Sequence, residues 1–207
     1  LKEILNNFHN KKIVVVGDVI LDKYIYGTVQ RISPEAPVPL INVEKEEYKA
    51  GGAGNVALNV ANLSQEGSVY LFSFVGNDIY ADKLKNILEN NGISCYFEKE
   101  NSTIIKERII GKSSGQQQHL LRIDREKPYQ KYFKSLGNIL QIAENSDKII
   151  VSDYGKGVIN SSLIDVLKPY KEKIVLDPRP DNKDFNEIYK NAFLITPNRK
   201  EALLMSK

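Results

Sequence analysis

Short, largely apolar runs recur along the chain, and an aspartate or asparagine follows each of them within three residues. These runs are Ile13–Val16, Val69–Val75, Ile149–Val151, Ile174–Leu176 and Phe193–Ile195. Consecutive apolar residues are typical of strands that are covered on both faces, as in a parallel sheet. Helical spacing fills the intervals at Tyr80–Asn91, Tyr129–Glu144 and Ser161–Glu172. The alternation predicts an open, mostly parallel, doubly wound α/β sheet with helices on both faces.

Polar residues mark the ends of the predicted strands. They are Asp18, Asp78, Asp153, Asp177 and Asn198. A single aspartate after a strand is usually a turn former or a helix cap. Five such strand ends would form one polar edge, and open α/β sheets bind ligands beyond the carboxyl ends of their strands. This edge is the predicted site.

Two segments interrupt the α/β alternation, at about residues 23–49 and 103–125. Both are rich in β-branched and alternating residues, and the second contains the glycine-bounded turn Gly111–Gly115. The second segment predicts a hairpin, and the first predicts strands that pair beside it. Together they predict a small sheet outside the main one, which would act as a lid or a dimer contact. The alternative is an insertion without a functional role.

The stretch Ala50–Leu63 changes from a glycine-rich turn into a helix. Gly51, Gly52 and Gly54 allow close approach of the backbone, and the free amides at a helix start attract anions or hydroxyl oxygens. Asn55 can both donate and accept hydrogen bonds to a polyol. The alternative is an ordinary tight turn before a core helix.

Composition narrows the class of protein. The 207 residues carry a net charge of +3, with basic and acidic residues interspersed, so no basic stripe indicates nucleic acid or a membrane surface. Cys95 is the only cysteine, which excludes an internal disulfide, and His9 and His119 show no zinc-site spacing. No apolar run approaches a membrane span or a signal peptide. We expect a cytoplasmic protein with a small-molecule partner.

The chain resembles the ribokinase-like (PfkB) carbohydrate kinases over essentially its whole length. The resemblance rests on Gly17-Asp18 with Asp22 four residues on, on Gly51–Asn55 running into a helix, on the lid-like segments and on Asn198–Glu201. Within that family the chain is most similar to the D-glycero-β-D-manno-heptose 7-phosphate kinases. The stretches that carry this closer resemblance are Arg31–Pro39, Gln117–Asp124 and Asp153–Gly157.

The resemblance implies roles for residues at the matching positions. Sugar hydroxyls would be held by Asp18, Asp22, Gly51, Gly52 and Asn55, and the sugar phosphate by Lys106, Arg108 and Lys156. The cofactors would be ATP and Mg²⁺, beside Asn198, Arg199, Lys200 and Glu201, with Glu201 acting on the metal through water and with Asp153 and Asp177 lining the cleft. Alternatively, Lys106 and Arg108 are solvated charges on a hairpin, and Glu201 is an ordinary first-turn residue of its helix.

The implied reaction is ATP-dependent phosphorylation of the C1 hydroxyl of heptose 7-phosphate, which gives the 1,7-bisphosphate for ADP-heptose and a surface glycan. The family's catalytic base is the aspartate of a Gly-x-Gly-Asp motif, which the 207 residues do not contain. We therefore expect residues 1–207 to be an incomplete kinase domain that lacks its C-terminal nucleotide-binding remainder and transfers little phosphate alone. A homodimer through the lid sheet is also expected.

Other interpretations stay open at this point. The chain could be another PfkB kinase, acting on fructose 1-phosphate, tagatose 6-phosphate or a nucleoside, or a non-catalytic module that binds a sugar phosphate. A dinucleotide-binding enzyme is less favoured, because Gly17-Asp18-Val19 follows the first predicted strand in place of G-x-G-x-x-G.

Overall fold

The structure, a computed structural model, describes residues 7, 8, 10–113, 115–180 and 192–206. Predictions that concern His9, Ser114 and Lys207 lie outside the described residues. No helix in the described part of the chain combines the length and the apolar character needed to cross a lipid bilayer.

Strands and helices alternate along most of the chain. The strands are β1 (Ile13–Gly17), β2 (Val19–Ile32), β3 (Pro39–Gly52), β4 (Val69–Gly76), β5 (Ile93–Glu100), β6 (Ile105–Ser113), β7 (Gln116–Arg125), β8 (Lys148–Ser152), β9 (Ile174–Asp177) and β10 (Leu194–Ile195). The helices are α1 (Ala53–Ala61), α2 (Ile79–Glu89), α3 (Leu136–Glu144), α4 (Ser161–Leu167) and α5 (Arg199–Met205), and a 3₁₀ helix covers Lys168–Lys173.

Six strands form the main sheet in the order β10-β9-β8-β1-β4-β5, and every pair is parallel. Val14, Val15 and Val16 of β1 are fully buried, because the sheet is covered on both faces there. Val14 and Val16 belong to the apolar core that includes α3 and α4, whereas Val15 belongs to the core that includes α1 and α2. The α/β prediction is confirmed, and the apolar runs correspond to its strands.

The order of the main sheet reverses at β1, which lies between β4 and β8. The chain leaves β1 toward the lid, returns through α1 to β4 on one side, and later adds β8 on the other side. Such a switch point opens a crevice at the carboxyl ends of the strands. Asp18 lies at this point.

The lid is a separate four-stranded sheet in the order β3-β2-β6-β7. Strand β2 pairs with β3 antiparallel and with β6 parallel, and β6 and β7 form an antiparallel hairpin. Both segments that interrupt the α/β alternation therefore pair as predicted. His119 is exposed on β7.

Two helix predictions need correction. Residues Tyr129–Ser135 are not helical, because the Tyr129 amide donates to the Lys156 carbonyl at 2.6 Å and the Gln130 amide donates to Glu100. The helix predicted from Ser161 to Glu172 changes to a 3₁₀ helix after Leu167. The following Pro169 has no amide hydrogen to continue the α-helical pattern.

One strand of the main sheet was missed. Strand β5 carries Ser94, Glu98 and Lys99 among its apolar residues and therefore lacks a continuous apolar run. It lies at the edge of the sheet, where such polar residues are tolerated.

Candidate functional site

Asp18 follows β1 at the switch point and is fully buried. Its Oδ2 accepts hydrogen bonds from the amides of Tyr154 and Lys156 at 2.8 and 3.0 Å, and its Oδ1 accepts one from the Val158 amide at 3.0 Å. Burial raises the pKa of this carboxyl to about 6, although the three hydrogen bonds lower it. Both oxygens of Asp18 are thus engaged in holding the loop 153–158 against β1.

Two glycines give the loop its shape. Gly155 and Gly157 have φ values of 66° and 99°, in the left-handed region that favours glycine. A Cβ on Gly157 would lie 2.1 Å from the Tyr129 carbonyl oxygen.

The Lys156 ammonium lies 2.7 Å from a Glu126 carboxylate oxygen. This predicted phosphate ligand is therefore already paired with a carboxylate.

The turn from β3 into α1 lies directly beside Asp18. Gly52 has φ 58°, and a Cβ there would lie 2.2 Å from the Asp18 carbonyl oxygen, so glycine alone fits. The Ala53 amide donates to the same carbonyl at 2.9 Å. Asn55 lies in the first turn of α1 and is exposed. Its side-chain amide is therefore accessible from solvent, and its contact with a sugar stays a prediction.

Asp22 lies on β2, at the base of the lid. Its Oδ1 is 2.5 Å from Nη1 of Arg108, and the two side chains are 19% and 24% exposed. A Cβ on Gly51 would lie 2.3 Å from Oδ2 of Asp22, so glycine leaves room for the carboxylate. Asp22, Gly51 and Arg108 are therefore in direct proximity, as three residues of one sugar-phosphate site would be.

Strand pairing collects charged side chains on one face of the lid sheet, which we call the charged lid face. In the row nearest the main sheet, residues on the four strands lie side by side, and a second row lies two residues further out. The first row is Lys49, Asp22, Lys106 and Asp124, and the second is Glu47, Tyr24, Arg108 and Arg122. The face therefore combines a carboxylate suited to sugar hydroxyls with cations suited to a phosphate.

Tyr24 lies between two cations of this face. The Lys49 ammonium is 5.1 Å and the Arg108 guanidinium 5.2 Å from the centre of its ring, within cation–π range. Lys49, Tyr24 and Arg122 were not among the predicted site residues. The pairing of β2 with β3 places Lys49 opposite Asp22, but that pairing has register shifts near Gly27 and Arg31, which the sequence does not specify.

A cavity of about 470 Å³ lies beyond the ends of β8, β9 and β10. The polar residues that line it include Asp153, Asp177, Asn198, Lys200 and Glu201. Burial raises the pKa of Asp177, and the negative charges of Glu201 and Asp153 raise it further. These three carboxylates therefore repel one another, and a cation in the cavity would relieve the repulsion. The predicted cleft residues and most of the predicted nucleotide residues come together here.

Asn198 and Glu201 form a capping box at the start of α5. The Asn198 side chain accepts from the amides of Lys200 and Glu201 at 3.0 Å, and Glu201 accepts from the Asn198 amide at 2.8 Å. Arg199 is exposed and does not border the cavity, whereas Lys200 does. The Asn-x-x-Glu pair thus has a structural task that does not exclude a contact with a metal-bound water.

Within the described part of the chain, no three His, Cys, Asp or Glu side chains form a ready metal cage. A cation that keeps most of its waters and binds phosphate oxygens fits the carboxylates of the 470 Å³ cavity better than a fully protein-bound ion does.

Asp78, a member of the predicted polar edge, instead caps α2 and accepts two hydrogen bonds from Thr103. Together these bonds outweigh the effect of burial and lower its pKa.

The loop 153–158 connects the two groups of residues. Asp153 and Tyr154 line the cavity, while the amides of Tyr154 and Lys156 bind Asp18 beside the glycine turn. The structure therefore places the charged lid face and the glycine turn next to a polar cavity of about 470 Å³, at the carboxyl ends of parallel strands. Two ligands whose ends must meet would fit this arrangement.

Comparison with solved structures shows which fold this arrangement belongs to. The chain is similar to ribokinase from Giardia lamblia, with a TM-score of 0.65 and 16% identity over 95% of this chain and 60% of that one. It is also similar to Arabidopsis thaliana ribokinase, solved with ribose and ATP, with a TM-score of 0.63 and 20% identity over 94% of this chain and 62% of that one. The fold is that of the ribokinases.

Sequence comparison is more specific. The model of the pfkB family carbohydrate kinases matches residues 10–207, and the chain belongs to this family. It is 39% identical to the bifunctional protein HldE of Pseudomonas fluorescens over 97% of its length, and 40% identical to HldE of Actinobacillus succinogenes over 94%. The chain spans 42% and 40% of the length of these relatives.

Proposed function

We propose that this chain supplies the sugar-binding part of a kinase that transfers a phosphoryl group from ATP to the C1 hydroxyl of D-glycero-β-D-manno-heptose 7-phosphate. The observation that carries the proposal is the charged lid face, where the Asp22 carboxylate lies among cations beside the Gly51-Gly52 turn. Similarity to the HldE proteins supports the family, and the resemblance of Arg31–Pro39 to heptose 7-phosphate kinases supports the sugar. The product would be the 1,7-bisphosphate used for ADP-heptose and a surface glycan.

Phosphoryl transfer requires positioning, charge neutralisation and a proton acceptor more than covalent chemistry. Asp22, Gly51 and Asn55 would orient the sugar, while Asp18 would keep the loop 153–158 in place. ATP would occupy the 470 Å³ cavity beside Asn198 and Lys200. Mg²⁺, when bound with ATP, supplies positive charge to the transferring phosphate, and Glu201 and Asp177 would hold its waters.

We place the proton acceptor on an aspartate of a Gly-x-Gly-Asp motif, which is absent from the 207 residues. Residues 1–207 alone would then bind sugar but transfer little or no phosphate. Anion-exchange chromatography measures the formation of heptose 1,7-bisphosphate from ATP and heptose 7-phosphate. Formation of this product by residues 1–207 alone would contradict this part of the proposal.

Calorimetric titration tests the choice of substrate. Heptose 7-phosphate is expected to bind more tightly than fructose 6-phosphate or a free pentose, because the proposed site is specific for a seven-carbon sugar and the pentose lacks a phosphate. Tighter binding of fructose 6-phosphate would instead favour another pfkB kinase. Absence of binding by any of the three sugars would contradict a competent sugar site in this chain.

We also propose a homodimer through the lid sheet. Leu121 and Val43 are 54% and 57% exposed, and strand pairing places both on the face opposite Arg108. A second copy would cover this apolar surface. Sedimentation should show a dimer that Leu121→Asp converts to a monomer, whereas Ile79→Asp, at a 65% exposed position on α2, leaves it intact. A monomeric wild-type protein would contradict the proposal.

A further inference from the structure

Most cations near the predicted sugar site are already paired with a carboxylate. Three pairs lie within 3 Å: Arg108 with Asp22 at 2.5 Å, Arg122 with Asp124 at 2.7 Å, and Lys156 with Glu126 at 2.7 Å. A cation that is paired in this way must give up or share its partner before it can bind a phosphate. Arg108 and Lys156, two of the three phosphate ligands that the sequence suggested, fall into this group.

Lys49 and Lys106 differ from these cations. Within the described residues neither ammonium has a carboxylate oxygen within 4 Å. The carboxylates beside them in the strand pairing are Asp22, Glu47 and Asp124. Each of these has a closer partner: Arg108 lies 2.5 Å from Asp22, Lys45 lies 2.5 Å from Glu47, and Arg122 holds both oxygens of Asp124. Among the described residues, the charged lid face therefore has two lysines that form no direct ion pair with a carboxylate.

The two lysines lie on either side of Asp22. Lys49 of β3 and Lys106 of β6 are both in direct register with Asp22 of β2. Because neighbouring strands are about 4.8 Å apart, the two lysine backbones are about 10 Å apart, and both long side chains project from the same face. Their ammonium groups can therefore reach a single phosphate above β2.

Tyr24 restricts the position of the Lys49 ammonium. The Tyr24 ring is the neighbour of Asp22 along β2 on the charged lid face, and the Lys49 ammonium is 5.1 Å from the centre of this ring. This contact favours a position of the charge over the charged lid face. The net charge of the face, with the Lys45–Glu47 pair counted as neutral, is about +2, close in size to the charge of −1.5 to −2 on a phosphate monoester at neutral pH.

We propose that Lys49 and Lys106 form the phosphate-selecting pair of this site, and that Arg108 instead holds Asp22 in position for the sugar hydroxyls. This assignment rests on the proposed function, because it requires a sugar phosphate on the charged lid face. It names Lys49 as a specificity-determining residue and gives Arg108 a positioning role. Selectivity for a phosphorylated sugar then depends on two lysines from different strands, which are brought together only when the lid sheet forms.

The test compares binding of heptose 7-phosphate with binding of the same heptose without phosphate, by calorimetry on the complete protein. Lys49→Met and Lys106→Met remove one charge each and keep an apolar side chain of similar length. Each variant should lose about 10- to 100-fold in affinity for the phosphorylated sugar, as expected for one charge-assisted contact, and keep its affinity for the unphosphorylated sugar. Lys49→Arg and Lys106→Arg should restore most of the selectivity.

Lys112→Met is the matched control. Lys112 lies on β6, on the same face as Lys106 and opposite Thr28 of β2, but six residues further from the main sheet. Its replacement should leave both affinities unchanged. Melting temperatures of all variants show whether the lid has folded. If a methionine variant does not fold, the arginine variants still test the proposal.

The outcomes separate the two proposals. Wild-type protein that binds the two sugars equally well would overturn the proposed function, and this inference with it. Wild-type protein that prefers the phosphorylated sugar, together with methionine variants that retain this preference, would overturn the inference alone. In that case Arg108→Lys and Lys156→Met should reduce the preference, and those two side chains would be the phosphate ligands.

Discussion

Asp18 and Asp22 are four residues apart in sequence but lie in two regions that use a carboxylate in different ways. Asp18 is fully buried at the end of the main sheet, and three backbone amides occupy its oxygens. Asp22 is partly exposed on the lid, where a single arginine contacts it. The main sheet thus uses its aspartate to build the crevice, whereas the lid leaves its aspartate accessible to a ligand.

The cause of this difference is the path of the chain between the two residues. Val19, Ile20 and Leu21 are at most 2% exposed, so β2 begins inside the core. Asp22 is the first residue beyond that core, and from Asp22 to Tyr26 every residue of the strand is partly exposed. Within four residues the environment changes from a parallel sheet covered on both faces to a mixed sheet whose side chains are partly exposed.

The largest expected effect is on stability, after Asp18→Ala. The substitution leaves one buried and two part-buried amides without an acceptor, and each unsatisfied buried donor costs about 1–3 kcal/mol, so we expect a loss on the order of 3–5 kcal/mol. Urea unfolding, followed by circular dichroism, measures it. Asp165→Ala, which removes an exposed pair with Lys168, should change the free energy of unfolding by no more than about 0.5 kcal/mol. Equal effects of the two substitutions would contradict the role given to Asp18.

The pH dependence of the Asp18 region is the next largest effect. The pKa of Asp18 is raised from 3.8 to about 6 by burial, so its contribution to stability is fully present below pH 4 and is lost as the pH rises through 6. The difference corresponds to roughly 3 kcal/mol. In NMR spectra, the amide signals of Tyr154, Lys156 and Val158 should titrate with a midpoint near pH 6.

Asp78 supplies the internal control for this titration. Its pKa is lowered, because hydrogen bonds from Thr103 and from the start of α2 outweigh the effect of burial. The amides of Tyr80 and Ala81 should therefore titrate below pH 4. A midpoint near pH 4 at Tyr154 would show that the three amide bonds compensate for the burial of Asp18.

Asp22→Asn should show the opposite balance, with a large effect on binding and a small one on stability. Its partner Arg108 is partly exposed, so loss of the ion pair should cost no more than about 1 kcal/mol. Affinity for the sugar should fall about 10- to 100-fold, because a charged acceptor of hydroxyl hydrogen bonds is lost. Calorimetry and urea unfolding on the same variant measure the two effects. A variant that loses stability and keeps its affinity would assign Asp22 a structural role like that of Asp18.

The sequence was informative where a residue's surroundings depend on its near neighbours. The strand β1 follows from three consecutive valines, and the polar strand ends that line the crevice follow from Asp18, Asp153 and Asp177. The lid hairpin follows from alternation and a glycine turn. These features were predicted because parallel strands and hairpins leave a local pattern.

Long-range partners could not be predicted in this way. The hydrogen bonds of Asp18 come from residues about 140 positions away. The register that places Lys49 opposite Asp22 depends on the pairing of two fourteen-residue strands, which contains two shifts. The non-helical path after Pro128 is likewise fixed by the Lys156 carbonyl. Which carboxylate is buried and which remains accessible was therefore decided by tertiary contacts.

Asn198 lies at the edge of the main sheet, like Asp18, but its hydrogen-bond partners are local. Its replacement should have the smallest effect on stability among these predictions. Its side chain accepts hydrogen bonds from the Lys200 and Glu201 amides, so its partners are local and the position is exposed. Asn198→Ala should cost about 1 kcal/mol, the usual effect of losing an N-cap, and hydrogen exchange should quicken in α5 but not in the loop 153–158. Asn198→Ser, which keeps a capping oxygen, should recover most of the loss. If exchange instead quickened in the loop 153–158, the cap would be coupled to the Asp18 region, and the edge of the main sheet would act as one unit.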